Sequence, residues 1–180
     1  MHRTRASIIS FALLCLILAS SSTVTAEAKW PFRRLRPLDP AVAALIARGA
    51  ASSVTLRTLI HTIERSDVIV HVERVNRPGQ GLAGATRFVT RAGGQRYVRI
   101  TLFGYRSLHQ TIALIGHELQ HAVEVATAGW VVDQATCLEL FHAIGHRTCS
   151  AQRERVCYET DAAVQAGARV WDDLYHHQAE

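Results

Sequence analysis

His117-Glu118-Leu119-Gln120-His121 sets two imidazoles one helical turn apart, with a carboxylate directly after the first. At ~3.6 residues per turn, positions i and i+4 share a face about 6 Å apart, so both rings can converge on one tetrahedral Zn²⁺. Zinc lowers the pKa of a bound water toward ~7, and a carboxylate in the place of Glu118 can take its proton as it attacks a carbonyl. The residue types and their spacing both follow from that chemistry. Composition alone yields about 0.03 such patterns in a chain with 10 His. The surroundings agree: Leu114-Ile115 precede the motif, Leu119 and Gln120 are uncharged, and Ala122-Val123 follow, as in a buried amphipathic helix. The competing reading is a helix with structural histidines and Glu118 in a salt bridge.

The elements around this helix are legible from caps and periodicity. Asp39-Pro40 starts a helix carried by Val42, Leu45 and Ile46 to Gly49, and Ser53 caps a second with Leu56, Leu59, Ile60 and Ile63 on one face. From Asp67 the period becomes two: Val68, Val70 and Val72 alternate with Ile69, His71 and Glu73 in a strand, which Asn76-Arg77-Pro78-Gly79 ends. Arg87–Thr90 and Arg96–Leu102 are expected to form a hairpin around Ala92-Gly93-Gly94-Gln95, with Val98, Ile100 and Leu102 facing the core. Ser107 and Gln110 form a capping box ahead of the run Ile112–Ala126 that holds the motif and closes at Gly129. Asp133 caps a helix to Gly145, and Ser150 is expected to cap a final long helix reaching about Tyr175. The expected class is therefore α+β: N-terminal helices, a small mixed or antiparallel sheet, the motif helix and C-terminal helices in one domain.

With these elements in place, the chain resembles the zincin metallopeptidases, and within them the gluzincin branch; His117-Glu118-Leu119-Gln120-His121-Ala122-Val123 is very similar to the active helix of thermolysin-like enzymes. The motif likeness covers residues 114–124, and the element order extends a looser likeness over 39–175. The metzincin pattern fails, because its Gly and His, three and six residues after the second motif histidine, are Glu124 and Thr127 here. The gluzincin resemblance implies a third ligand from a Glu on a later helix, and the downstream candidates are Glu139, Glu154 and Glu159. Glu159 is favoured: it lies 38 residues after His121, and Ala162 and Ala163 would let two helices approach closely. The Asp common four residues after that Glu is absent, since Ala163 stands there, and Asp161 lies on the wrong face to orient His117. Glu124 is the alternative third ligand, sharing a face with His117 and His121. A rise of ~1.5 Å per residue puts its backbone about 4.5 Å beyond His121, which suits a supporting role better. His142, His146 and Tyr158 are candidate oxyanion stabilisers, with exposed polar side chains near a loop the plainer reading; His176-His177 are expected at the surface. The resemblance also implies that the strand before the active helix, Tyr97–Leu102, is an edge to which an extended peptide adds, with an ordinary sheet strand the equal alternative.

The 180 residues make one domain, and 48% apolar with 19% charged residues excludes a disordered or collagen-like chain. Arg3 and Arg5, the apolar run Ile8–Ala19 and Val24-Thr25-Ala26 read as a cleaved signal peptide over residues 1–26, too short in its apolar part for a stable membrane span. Cys15 would leave with it. Residues 27–38, with Lys29, Arg33, Arg34 and Arg36, are expected to be a solvated N-terminal arm before a domain over 39–180. Without the signal the charge falls from +5 to 18 basic against 15 acidic side chains, a balance that does not support nucleic-acid binding. An exported location, periplasmic or secreted, permits one disulfide among Cys137, Cys149 and Cys157, with the pairing open and one thiol left over. The expected function is an exported zinc-dependent metallopeptidase acting on a peptide or protein substrate, with His117, His121 and Glu159 as ligands and Glu118 as general base. The alternatives are a non-catalytic exported domain retaining the zincin core and a hydrolase of cell-wall peptide links.

Overall fold

A computed structural model describes residues 30–79, 81–148 and 157–176. The expected signal peptide, Cys15, Cys149, Ser150 and Glu154 lie outside the described residues, as does His177. In chain order the elements are β1 (Leu35–Pro37), α1 (Pro40–Ser52), α2 (Val54–Glu64), β2 (Val68–Val75), β3 (Gly84–Ala92), β4 (Gln95–Phe103), α3 (Leu108–Thr127), α4 (Gln134–Ile144), β5 (His146–Arg147), β6 (Tyr158–Glu159) and α5 (Asp161–His176). The class is α+β, with five helices and a small mixed sheet among the described residues. None of these helices is long and apolar enough to cross a membrane.

Local chemistry explains the boundaries. The Asp39 side chain accepts from Val42 N–H and Ser53 from Leu56 N–H, each satisfying an N-terminal donor that has no intrahelical partner. Ser107 and Gln110 form the reciprocal capping box at the start of α3. Gly93 and Gly94 have φ of +57° and +74°, the paired positive φ of a tight hairpin turn whose twist matches the flanking strands.

The four-stranded sheet runs β1-β2-β4-β3, with β1, β2 and β4 parallel and β3 antiparallel at one edge. Val70, Val72, Val98, Ile100 and Leu102 on its inner face share one apolar core with Ile112, Ile115, Leu119, Ala122 and Val125 of α3, and α1, α2 and α3 pack on the sheet. The α3–α5 pair is the most extensive helix contact. Small residues allow it: a Cβ on Gly116 would stand 2.6 Å from Val170 Cγ2, and one on Gly167 would stand 3.2 Å from His117 Cβ.

Three expectations are corrected. First, the arm expected over 27–38 is part of the fold from Trp30 onward. Leu35 is fully buried, β1 pairs with β2, the Glu64 carboxylate accepts from the backbone N–H of Arg33, Arg34 and Leu35, and Trp30 Nε1 donates to Leu35 O at 2.7 Å. A three-residue strand bounded by Pro37 is too short to show a period of two, and its basic neighbours hide it. Second, the final helix starts at Asp161, so Tyr158 and Glu159 belong to β6, which pairs antiparallel with β5. Thr160 caps that helix, its hydroxyl accepting from Ala163 N–H at 3.1 Å. Third, Tyr97–Leu102 lies inside β4, which is paired on both sides; the antiparallel edge is β3.

Of the described cysteines, Cys137 is free and buried and Cys157 is disulfide-bonded. Burial pushes the Cys137 thiol up to about 11, so it stays protonated and inert at neutral pH.

Candidate metal centre

α3 presents His117 and His121 one turn apart, and β6 brings Glu159 to them across the chain. Among the described residues these three offer ligand atoms all within 4.8 Å of one another. The His117 Nε2–Glu159 Oε2 distance is 3.2 Å and His121 Nε2–Glu159 Oε1 is 3.3 Å. Two donors at ~2.0–2.1 Å from a tetrahedral zinc are separated by about 3.3 Å, so each histidine stands from a Glu159 oxygen as two ligands of one such ion would, and the two imidazoles with a carboxylate are a donor type that ion takes. His121 is 8% exposed whereas His117 and Glu159 are 19% and 24%, so the cluster opens to solvent on the side of those two residues.

The supports are specific. Thr160 N–H donates to Glu159 Oε1 at 3.0 Å and so fixes the carboxylate from its own backbone. Gly145 at the end of α4 lets β6 come close, since a Cβ there would stand 2.6 Å from the Glu159 carbonyl oxygen. Glu124 Oε2 lies 2.9 Å from His121 Nδ1, and Thr160 Oγ1 donates to Glu124 Oε1 at 2.7 Å. A carboxylate on Nδ1 holds a proton there, so that when the ring is neutral its Nε2 lone pair faces Glu159 and the cluster. Glu124 therefore stands behind His121, on the side away from the converging donors. Phe141 packs edge-on to the His121 ring at 5.2 Å.

Glu118 is 3% exposed and points to β3, where Thr86 Oγ1 donates to its Oε2 at 2.7 Å. Burial pushes its carboxyl pKa up, against the opposing pull of His121, His117 and the Thr86 hydroxyl. A raised carboxylate is the stronger base. Gly84 makes room for it, because a Cβ there would stand 2.4 Å from Oε1. Gly84→Ala should therefore displace Glu118 and lower any activity that depends on it by about tenfold or more, with metal content unchanged; activity and zinc analysis on one preparation check this.

At His121 burial alone would disfavour the charged ring, but Glu124, Glu159 and Glu118 outweigh it and raise the pKa to about 9. At Glu159 burial opposes ionisation and is outweighed by His117 and His121, which hold the carboxyl well below its usual range. In the metal-free protein a proton thus occupies His121 at neutral pH, and a metal must displace it. Apparent zinc affinity should rise with pH from 7 toward 9 with about one proton released per ion, which chelator competition and buffer-dependent calorimetry would measure. Glu124→Gln removes the carboxylate behind His121 and should weaken zinc binding about 10- to 100-fold in the same titration.

The remaining candidates separate. The register pairs His146 with Glu159 and Arg147 with Tyr158, so His146 shares the ribbon face of Glu159 while Tyr158 lies on the reverse with its ring 5.8 Å from that of His142. His142 and His146 are exposed, as is Glu139, which stays apart from the cluster, and Asp161 lies exposed in the first turn of α5. Thr86, Gly84 and Thr160 were missed as site residues. Only Thr160 had a signal, as the cap in Thr160-Asp161-Ala162-Ala163. No protein-family model, no curated protein and no solved structure matches the chain.

Proposed function

We propose that this chain is an exported, periplasmic or secreted, zinc-dependent metallopeptidase of the gluzincin kind, hydrolysing peptide bonds. The observation that carries the reading is the convergence of His117, His121 and Glu159, whose ligand atoms lie within 4.8 Å of one another, with Glu118 buried one residue along the same helix. When bound, zinc supplies Lewis acidity for an attacking water and for the substrate carbonyl. The chain's own groups do the rest. Glu118, held by Thr86, accepts the proton of the attacking water and returns it to the leaving amine. Among the described residues β3 has no strand on its outer side, and this edge beside Glu118 suits an extended peptide that adds as a further strand. His146 stands on the Glu159 face as a candidate donor to the developing oxyanion.

One observation favours a second reading, a non-catalytic exported domain that keeps this core. Glu118 is almost completely buried and already hydrogen-bonded, as a structural carboxylate would be. Metal analysis of the purified mature chain and of His117→Ala, joined to a broad peptide-library assay, separates the two. Stoichiometric zinc lost in the variant together with peptide cleavage supports the peptidase, zinc without cleavage selects the second reading, and no zinc in the unaltered chain sinks the peptidase.

A further inference from the structure

Among the described residues α1, α2 and α3 pack on one face of the sheet, and the other carries a row of cationic residues that the metal centre does not use. Strand register aligns Arg36 with His71, His71 with Arg99, and Arg99 with Arg87. Residues directly opposite point to the same side, and this side is the reverse of the one where Leu35, Val70, Val98 and Phe88 enter the core. The row therefore takes one residue from each of the four strands, at about 4.8 Å spacing over about 14 Å. Arg36, Arg87 and Arg99 are exposed, and among the described residues none of their guanidinium groups is ion-paired; Arg36 Nε donates to the Arg33 carbonyl at 3.1 Å.

Like charges directly across strands destabilise a sheet, so this alignment works against the fold. His71 registers the crowding: burial, then Arg36 and Arg99, lower its pKa. Arg34, in the next row, is tied to Gln95, its Nη1 donating to Oε1 at 3.2 Å, so the untethered cations stand in single file. On one flank Glu73 accepts from Thr101 Oγ1 at 2.9 Å, and on the other the Tyr97 ring stacks on His71 at 6.2 Å and 13°. An acid within the face disfavours a flat anionic membrane, which a broad basic patch would meet. A nucleic acid would call for several free rings on which bases stack, whereas Tyr97 is already stacked on His71. A linear glycan needs only single-file cations at about the length of a sugar unit, with guanidinium forks that take a carboxylate or sulfate through two donors.

We propose that the outer face of the sheet docks a linear anionic polysaccharide, carboxylated or sulfated, lying across the strands along Arg36, His71, Arg99 and Arg87. This surface is independent of the metal centre, so either assignment can fail without the other. Calorimetric titration of the mature chain with a heparin hexasaccharide and with hexagalacturonate tests it. At least one saccharide should bind, more weakly as salt rises, and Arg87→Gln with Arg99→Gln should reduce affinity about tenfold or more. Arg48→Gln, at an exposed position of α1, should leave it unchanged. The Arg99→Gln thermal midpoint should be equal to or above that of the parent, since repulsion is relieved. The His71 ring signal, followed by NMR, should titrate at higher pH in the complex, because an anion offsets Arg36 and Arg99 while Glu73 and Tyr97 stay in place. No saccharide binding, an equal loss in Arg48→Gln, or tighter binding of oligothymidylate or phosphatidylserine vesicles would overturn the proposal.

Discussion

Glu118→Gln is expected to lower kcat/KM for peptide hydrolysis by roughly 10²- to 10⁴-fold, the usual contribution of a positioned general base, while zinc content stays at one per chain. The substitution keeps shape and volume. The Gln carbonyl oxygen can still accept from Thr86 Oγ1, which bonds Glu118 Oε2 at 2.7 Å, so the helix and the His117–His121 spacing should not move. What disappears is the ability to hold a proton at a site where burial has raised the carboxyl pKa. Loss should fall on kcat rather than KM, since a base acts in the transition state and contributes little to ground-state binding. Steady-state kinetics with zinc analysis on the same preparation decides the matter. Unchanged hydrolysis would remove Glu118 from the mechanism, and no hydrolysis by either protein would select the non-catalytic reading.

The second large effect concerns stability. Arg96 is 3% exposed at the start of β4, and its guanidinium donates to the carbonyls of Val125 (2.7 Å), Ala126 (3.0 Å), Ala128 (2.8 Å) and Val131 (3.3 Å), and to both Asp67 oxygens. These carbonyls end and follow α3, where the helix has no donors left and its dipole is negative. Val131 N–H would still serve the Ala128 carbonyl, but Arg96→Ala would strip the Val125, Ala126 and Val131 carbonyls of this donor, at a cost of about 3–5 kcal/mol and a fall in Tm of about 10 °C. Arg96→Lys should recover only part, because one ammonium cannot serve both the carbonyls and Asp67. The half-exposed Asp67 adds little energy but gives a pH signature. Hydrogen bonding to Arg96 holds its pKa below the ordinary 3.8 despite some burial, so its share of stability is present above about pH 3.8 and lost as pH falls through the lowered value. That acid limb should be absent from Arg96→Ala. Thermal scans at several pH values check both.

Where one residue's chemistry acts within a few neighbours, the sequence was readable. Asp39, Ser53, Ser107 and Asp133 cap the helices expected of them, the two glycines make the hairpin turn, and the alternation in β2 and β4 puts the expected valines in the core. The spacing of His117 and His121 was similarly local, because a helix guarantees a common face. Legibility failed where a short segment borrows its conformation from distant partners. β1 exists because Glu64 and β2 complete its backbone bonds, and β6 because β5 does.

What the sequence determined by itself is the pair of histidines, the neighbouring carboxylate and the helix that carries them, since all are set within one or two turns of chain. Which glutamate joins them was a matter of three dimensions. Glu124 and Glu159 both fitted the spacing, and only the approach of β6, admitted by Gly145 and tied down by Thr160, brings the Glu159 carboxylate to both Nε2 atoms and leaves Glu124 behind His121. The same holds for charge. A net balance spread along the chain says little, but strand register gathers Arg36, His71, Arg99 and Arg87 from four separate segments into one line. Register is a property of backbone pairing between strands, and no local pattern in any one of them contains it.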